Sequence, residues 1–407
     1  MGIRVATIFV AALILAFGPA ASEADARHHR GAHARKSHHR RHHVRVLPVS
    51  PDAPNAELVI DADSGLVLAV ANPEQLVYPA SLTKMMTLYL AFRALDEGLV
   101  ARDDGVAISA HAAAAEPTRL GLLPGQIVRV DDLLRATVTK SANDAARALA
   151  EKLDGDLGPR LVALLRADRV ALDAGDAAEA AATPPTAQEI ADDAAEDTEL
   201  NALFDSVRAD GSEEDFARVM TLQARLLGMD DTEFRNASGL PDPDQVTTAP
   251  DMARLAYAVV NLPREDYAYF SLTSFTYNGA EYRNHNLRFL TEYDGADGIK
   301  TGYTEGSGFN VVDTARRGDV RLIAIVIGRR SHADREDMVR ALLDNCFVAR
   351  GATPAVVAAG DTIAVGSTLD LPSLRPAGSS LRARDTTVAP AANTKLADDS
   401  PALPSVH

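Results

Sequence analysis

The sequence predicts an α+β protein, and three observations point that way. An apolar spread at helical spacing, Leu82, Met85, Met86, Leu88, Leu90, Ala91 and Leu95, runs from Ser81 to a stop near Glu97-Gly98. Two further helical patterns, residues 130–138 and 145–153, flank Ser141 and Asn143. Late in the chain two β-rich stretches, 308–315 and 320–328, follow the glycine-rich segment 295–304, a layout that reads as an edge strand beginning a hairpin. With 407 residues and 46% hydrophobic content, the chain is long enough for one large domain or two smaller ones around a globular core.

In the first helix, Pro79 biases Tyr78 away from helical backbone, which sets the start at Ser81. Helical geometry turns a residue and its third successor to nearly the same face, so Lys84 falls beside Ser81. A hydroxyl alone is a poor nucleophile at neutral pH; an amine kept partly neutral by burial and a neighbouring cation accepts its proton. Taken alone, Ser81 and Lys84 also fit an N-capping serine and a solvated helix lysine.

Ser141 and Asn143 sit at a helix junction, a usual place for groups that point into a cleft. The hydroxyl is suited to relaying a proton to a leaving amine, and the amide to binding both Lys84 and a substrate carbonyl. Helix capping is the plainer reading of both. In the edge strand Lys300 supplies positive charge, Thr301 a hydroxyl for a substrate carboxylate, and Gly302 an absent side chain that lets substrate backbone approach. Gly298, Gly306 and Gly308 around it suit a close-approach surface. The single cysteine, Cys346, forms no intrachain disulfide and is expected to be a core thiol on a late helix.

The three strings Ser81-Leu82-Thr83-Lys84, Ser141-Ala142-Asn143 and Lys300-Thr301-Gly302 stand in the order found in penicillin-binding proteins and class A β-lactamases. The likeness extends to Tyr78-Pro79-Ala80, Leu123-Pro124-Gly125, Leu227-Gly228-Met229, Asn236-Ala237-Ser238-Gly239-Leu240-Pro241, Asn284-His285-Asn286 and Asp297-Gly298-Ile299 before Lys300. Over roughly residues 56–351 the chain thus resembles the serine-type D-Ala-D-Ala carboxypeptidases, the low-molecular-mass penicillin-binding proteins. The resemblance implies an antiparallel sheet flanked by helices, a helical lobe carrying Ser141 and Asn143, and the active site between them. It implies a catalytic set of Ser81, Lys84, Ser141, Asn143 and Lys300, a substrate-binding set of Thr301, Gly302, Tyr303 and Arg335, and neither cofactor nor metal. Ser81 would be acylated by the penultimate D-Ala of a peptidoglycan stem peptide, with the backbone N–H groups of Ser81 and Tyr303 as oxyanion hole. Arg335 would hold the terminal carboxylate, with Arg329 and Arg330 as alternatives. Partners implied are peptidoglycan stem peptides and, as covalent inhibitors, β-lactam antibiotics. A β-lactamase, a DD-endopeptidase and a non-catalytic peptidoglycan-binding protein are the other functions this pattern allows.

Residues 155–211 depart from the family pattern. They are rich in Ala, Asp and Glu, contain Pro184-Pro185, and read as a mobile acidic excursion near the helical lobe. Leu161, Val162, Leu164, Leu165, Val170 and Leu172 predict one short helix, and Ile190, Leu200, Leu203, Phe204 and Val207 another. Within it Asp197-Thr198-Glu199-Leu200-Asn201 resembles the β-lactamase stretch that positions a deacylating water, with Asp197 one methylene too short. Without such a base, deacylation after a β-lactam is expected to be slow.

The N-terminus reads as an export signal: Arg4, an apolar run over residues 5–17, then Ala24-Asp25-Ala26, with cleavage after Ala26 and Ala21 as the alternative. The expected location is the bacterial periplasm or cell envelope, soluble or peripherally associated. Residues 27–55 read as a disordered arm whose first part, 27–45, carries seven histidines and seven Arg/Lys and no acidic residue. That tract suits anionic envelope polymers, lipid headgroups or transition metals, or serves only as a linker. The whole chain has a net charge of −16, so the body behind the arm is strongly acidic and no nucleic-acid partner is expected. Residues 352–407 read as a Pro/Ala-rich, mostly disordered tail that lacks the basic-apolar periodicity of an anchor.

Overall fold

Along residues 322–327 the apolar side chains alternate between two buried faces, and this decides the architecture. Ile323, Ile325 and Ile327 face one core, whereas Leu322, Ala324 and Val326 face a second. A strand buried on both sides needs layers above and below it. The computed structural model describes residues 55–182, 187–350 and 363–372, and for 174–196 the backbone only. The expected signal, the arm up to residue 54 and the tail beyond 372 lie outside the described residues.

In chain order, β1 (Ala56–Asp61) and β2 (Val67–Ala71) form a hairpin, and a 3-10 turn, Ala80–Thr83, runs directly into α1 (Lys84–Asp96). The lobe follows: β3 (Gly105–Ala107), α2 (Ala110–Ala113), β4 (Ile127–Arg129), α3 (Val130–Thr139), α4 (Asn143–Asp154), α5 (Gly158–Ala182), α6 (Ala187–Ser206) and α7 (Glu213–Leu226). The chain returns through α8 (Ala249–Val260), α9 (Arg264–Tyr267), β5 (Ser274–Tyr277), β6 (Ala280–Arg283) and α10 (Leu287–Glu292). It ends in β7 (Ala296–Thr304), β8 (Gly308–Arg317), β9 (Val320–Arg329) and α11 (His332–Ala349). The main sheet has the order β2-β1-β9-β8-β7 and is antiparallel throughout. The expected α+β fold is therefore present, and β7 is an edge strand of a three-strand meander.

On one face α1 and α8 bury Met85, Leu88, Phe92, Met252 and Leu255 against the isoleucines of β9. On the other, α11 covers Val59, Ala324 and Val326 with Val339, Leu343 and Cys346. Burying each of the Val, Leu, Ile, Phe and Met side chains contributes roughly 1.5–3 kcal/mol. Cys346 is a buried thiol pushed up to about 12 by burial. Helices α7, α8 and α11 start on Ser212, Thr248 and Ser331, each accepting the N–H three residues on, with acidic residues in the first turn.

In the 155–211 segment the helices are longer than the apolar positions suggested, because the Ala-rich runs between them favour helix. Their ends nearest the lobe are anchored: Leu161, Leu165, Leu200 and Phe204 are buried in the main core. Of the tail, residues 363–372 pack on the β1–β2 turn, with backbone hydrogen bonds joining Val67 to Ser367 and Gly366, and Gly65 to Leu369.

Candidate active site

The turn before α1 holds its serine away from any capping role. No side chain caps the 3-10 turn or α1, and Ala80 immediately before Ser81 adopts a left-handed φ of 49°. One helical turn on, the Lys84 Nζ lies 3.1 Å from Ser81 Oγ. The lysine is completely buried and also donates to Asn143 Oδ1 at 2.6 Å and to the Ser238 carbonyl. Burial first, and then the charge of Lys300, hold its pKa well below the ordinary lysine value.

The capping alternative also fails for the second pair. Helix α4 has Ala142 at its N-cap and no side-chain cap. Ser141, at φ 56°, instead accepts from Lys300 Nζ at 2.9 Å. Asn143 spends its Oδ1 on Lys84 and its Nδ2 on the Glu116 carbonyl at 2.8 Å. Asp144 beside it accepts the N–H groups of Leu120, Gly121 and Leu122 and so fixes the loop next to the site.

Edge strand β7 closes the site. Lys300 is buried, and burial, with the charge of Arg335 adding to it, pushes its pKa down to about 7. Thr301 is buried, whereas Tyr303 is half exposed and rests on Phe309 with ring centroids 4.3 Å apart. Gly302 has a packing reason as well. A Cβ there would lie 3.1 Å from both the Pro79 carbonyl and the Ser81 nitrogen, so the missing side chain admits the Ser81 turn against β7.

Of the three arginines, Arg329 is committed to Glu57 and Asp334 at 2.9 and 2.7 Å, and Arg330 is exposed just past β9. Arg335 is buried, its Nε has no hydrogen-bond partner, and no carboxylate lies within ion-pair distance of it among the described residues. His285 is pushed down to about 4 by burial and by the charges of Lys300, Lys140, Lys84 and Arg335. The cleft is thus lined by cations facing one another, which suits an anionic ligand.

Several contributors went unassigned in the sequence. Asn236 Oδ1 accepts the N–H groups of Ser238, Gly239 and Leu240, and this bend aims the Ser238 carbonyl at Lys84. Gly239, at φ 80°, has its Cβ direction blocked by the Ala80 carbonyl. Glu213 accepts the Ala237 N–H at 3.1 Å from outside the bend. Asp313 lies buried on β8, one oxygen taken by Asn286 at 2.6 Å and the other unpartnered, and burial pushes it up to about 8 while Arg335 pulls it down. The run Asn236 to Leu240 was a visible signal; Asp313 had none. Asp197 pairs with Arg169 between α5 and α6 and takes no part in this cluster.

The arrangement has the parts that serine acyl transfer needs, with a buried amine in the place that histidine takes in other serine hydrolases. The family model described as D-alanyl-D-alanine carboxypeptidase matches residues 48–168 and 202–331. The chain belongs to that family, and the break in the match, 169–201, is narrower than the 155–211 expected. The chain is 28% identical over 313 residues to the D-alanyl-D-alanine carboxypeptidase DacF of Bacillus subtilis, covering 74% of this chain and 64% of that one. It is 30% identical over 307 residues to DacD of Escherichia coli, covering 73% and 65%. It spans less than two thirds of the length of these relatives. Penicillin binding protein 5 of Haemophilus influenzae superposes with a TM-score of 0.57 at 28% identity, over 74% of this chain and 73% of that one.

Proposed function

We propose that this protein is an exported serine D-alanyl-D-alanine carboxypeptidase that trims the terminal D-Ala from peptidoglycan stem peptides, and that β-lactams acylate the same serine. The observation that carries the reading is the buried Lys84 amine, 3.1 Å from Ser81 Oγ with its pKa depressed. In its neutral form the amine takes the hydroxyl proton as Oγ attacks the carbonyl carbon of the penultimate D-Ala. The oxyanion forms against the N–H groups of Ser81 and Tyr303. Collapse breaks the peptide C–N bond, and the proton that Lys84 took passes through the Ser141 hydroxyl, held by Lys300, to the departing D-Ala amine, which leaves Lys84 neutral. Water then attacks the ester, Lys84 takes its proton and returns it to Ser81 Oγ as the acyl C–O bond breaks, and the shortened peptide leaves. Lys300, Thr301 and Arg335 hold the terminal carboxylate, and Asn143 positions Lys84 and the substrate backbone.

No helix among the described residues is long and apolar enough to cross a membrane. We assign residues 1–26 to export, and the basic tract 27–45 to contact with anionic envelope polymer or lipid, from their sequences alone.

Replacing Arg335 tests the carboxylate assignment. A charge-assisted hydrogen bond is worth about 1.5–3 kcal/mol, on the order of ten- to a hundredfold in rate constant. Arg335→Ala is expected to lose at least that much kcat/KM on a D-Ala-D-Ala peptide, and much less acylation by a β-lactam, whose strained ring drives the step. Arg329→Ala breaks two ion pairs instead and is expected to lower Tm more than activity. Wild-type peptide activity in Arg335→Ala, with cross-linked muropeptides as the better substrate, points to an endopeptidase.

The pH profile carries a second test. Lys84 acts as base only when neutral, so acylation rises with pH through its depressed pKa. Lys300 holds a carboxylate only when charged, so peptide kcat/KM falls again above about pH 7. Because the Lys300 charge lowers the Lys84 pKa, Lys300→Gln is expected to move the acid limb of penicillin acylation to higher pH. An acid limb that stays in place shows that the two amines are not coupled.

A further inference from the structure

Away from the cleft, three aspartates from two segments converge at the root of the 155–211 segment. Asp154 ends α4, Asp210 lies in the loop between α6 and α7, and Asp215 is in the first turn of α7. One carboxylate oxygen of each lies within 4.8 Å of the other two. Asp154 and Asp215 are fully buried and Asp210 is exposed. Asp154 Oδ2 accepts the Gly211 N–H at 2.8 Å, but its Oδ1, shut off from solvent, has no hydrogen-bond partner. A buried carboxylate oxygen is rarely left unmet.

The surrounding charges do not meet it. Asp215 accepts the Arg208 and Ala209 N–H groups on Oδ2 and Arg218 Nη1 on Oδ1, at 2.8, 2.5 and 2.8 Å. The mostly exposed Arg208 guanidinium stops 3.6 Å from Asp210 and 3.9 Å from Asp215. Neither arginine pairs with Asp154 among the described residues.

We propose that Asp154, Asp210 and Asp215 hold a divalent cation, calcium by preference, with Asp154 Oδ1 as the buried ligand. An all-oxygen donor set suits a hard cation, and the trio offers neither the nitrogen nor the sulfur that zinc favours. Calcium accepts irregular sets of six to eight oxygens, which fits carboxylates already pinned by backbone N–H groups; magnesium demands a near-ideal octahedron. Water reaching the exposed Asp210 side completes the shell. Two arginines nearby weaken the field, so the affinity falls at the level of extracellular calcium modules, about 10⁻⁴–10⁻³ M. The cation joins the end of α4 to the start of α7, where Glu213 reaches the bend that carries Ser238. The site does not rest on the peptidase reading.

The test is thermal denaturation of the chelator-treated full chain in calcium chloride or magnesium chloride at matched ionic strength, with calorimetric titration of calcium. At 10 mM calcium, Tm is expected to rise by about 3 °C, and by less in magnesium. The isosteric Asp154→Asn and the exposed Asp210→Asn are each expected to abolish the rise and the binding heat. No rise in the wild type, a rise that survives in Asp210→Asn, or an equal rise in magnesium overturns the proposal. Should Asp154→Asn not fold, Asp210→Asn decides alone.

Discussion

Ser81→Ala is expected to lose all covalent labelling by a fluorescent penicillin and at least about 10⁴-fold in peptide hydrolysis. The oxygen removed forms the acyl bond, and no neighbouring group among those contacting Lys84 can replace it: Asn143 is an amide and Ser238 contributes only its carbonyl. Stability should hardly change, because Ser81 caps no helix and its contact in the cluster is the one with Lys84. The readouts are gel fluorescence, intact mass after penicillin and Tm. Labelling that persists on another residue, with Tm unchanged, removes Ser81 from the role of nucleophile.

Lys84→Met and Lys84→Arg separate a base from a mere charge. Both are expected to lower the acylation rate by about 10²–10⁴-fold. Methionine keeps the buried volume but has no basic nitrogen; it relieves the cost of a buried amine while leaving Asn143 Oδ1 and the Ser238 carbonyl unmet, at about 1–3 kcal/mol each. Arginine keeps the charge yet stays protonated at every working pH. If Lys84→Arg acylates at a wild-type rate, Lys84 acts by its charge and the proton goes elsewhere. The stopped-flow rate with a chromogenic β-lactam is the measurement, with Tm as the check on folding.

Much of this site was legible because it is local. Ser81 and Lys84 are three residues apart, Ser81 in the 3-10 turn and Lys84 at the first residue of α1, and that single turn of chain brings them together. Lys300, Thr301 and Gly302 fall on an edge strand that the β-rich runs after them announced. The helices of the 155–211 segment were visible as positions but not in length, since alanine extends a helix without leaving a periodic signal. That Leu161 and Phe204 anchor that segment could be read only from what they pack against.

The residue types, their order and their local geometry were therefore determined by the sequence: a nucleophile, its amine, a Ser/Asn pair and a cationic strand. Only the tertiary structure decided which of them meet. Lys300 reaches Ser141 across 159 positions, and Lys84 reaches the Ser238 carbonyl across 154. It also decided that Ser141 and Asn143 do not cap α4, that Gly302 yields to the Ser81 turn, and that Arg335 rather than Arg329 is left uncommitted. The physical reason is the same for each. A pKa, an unpaired buried group and a close backbone contact depend on depth and on neighbours brought by the sheet and the lobe, and neither quantity is encoded in a residue's near sequence.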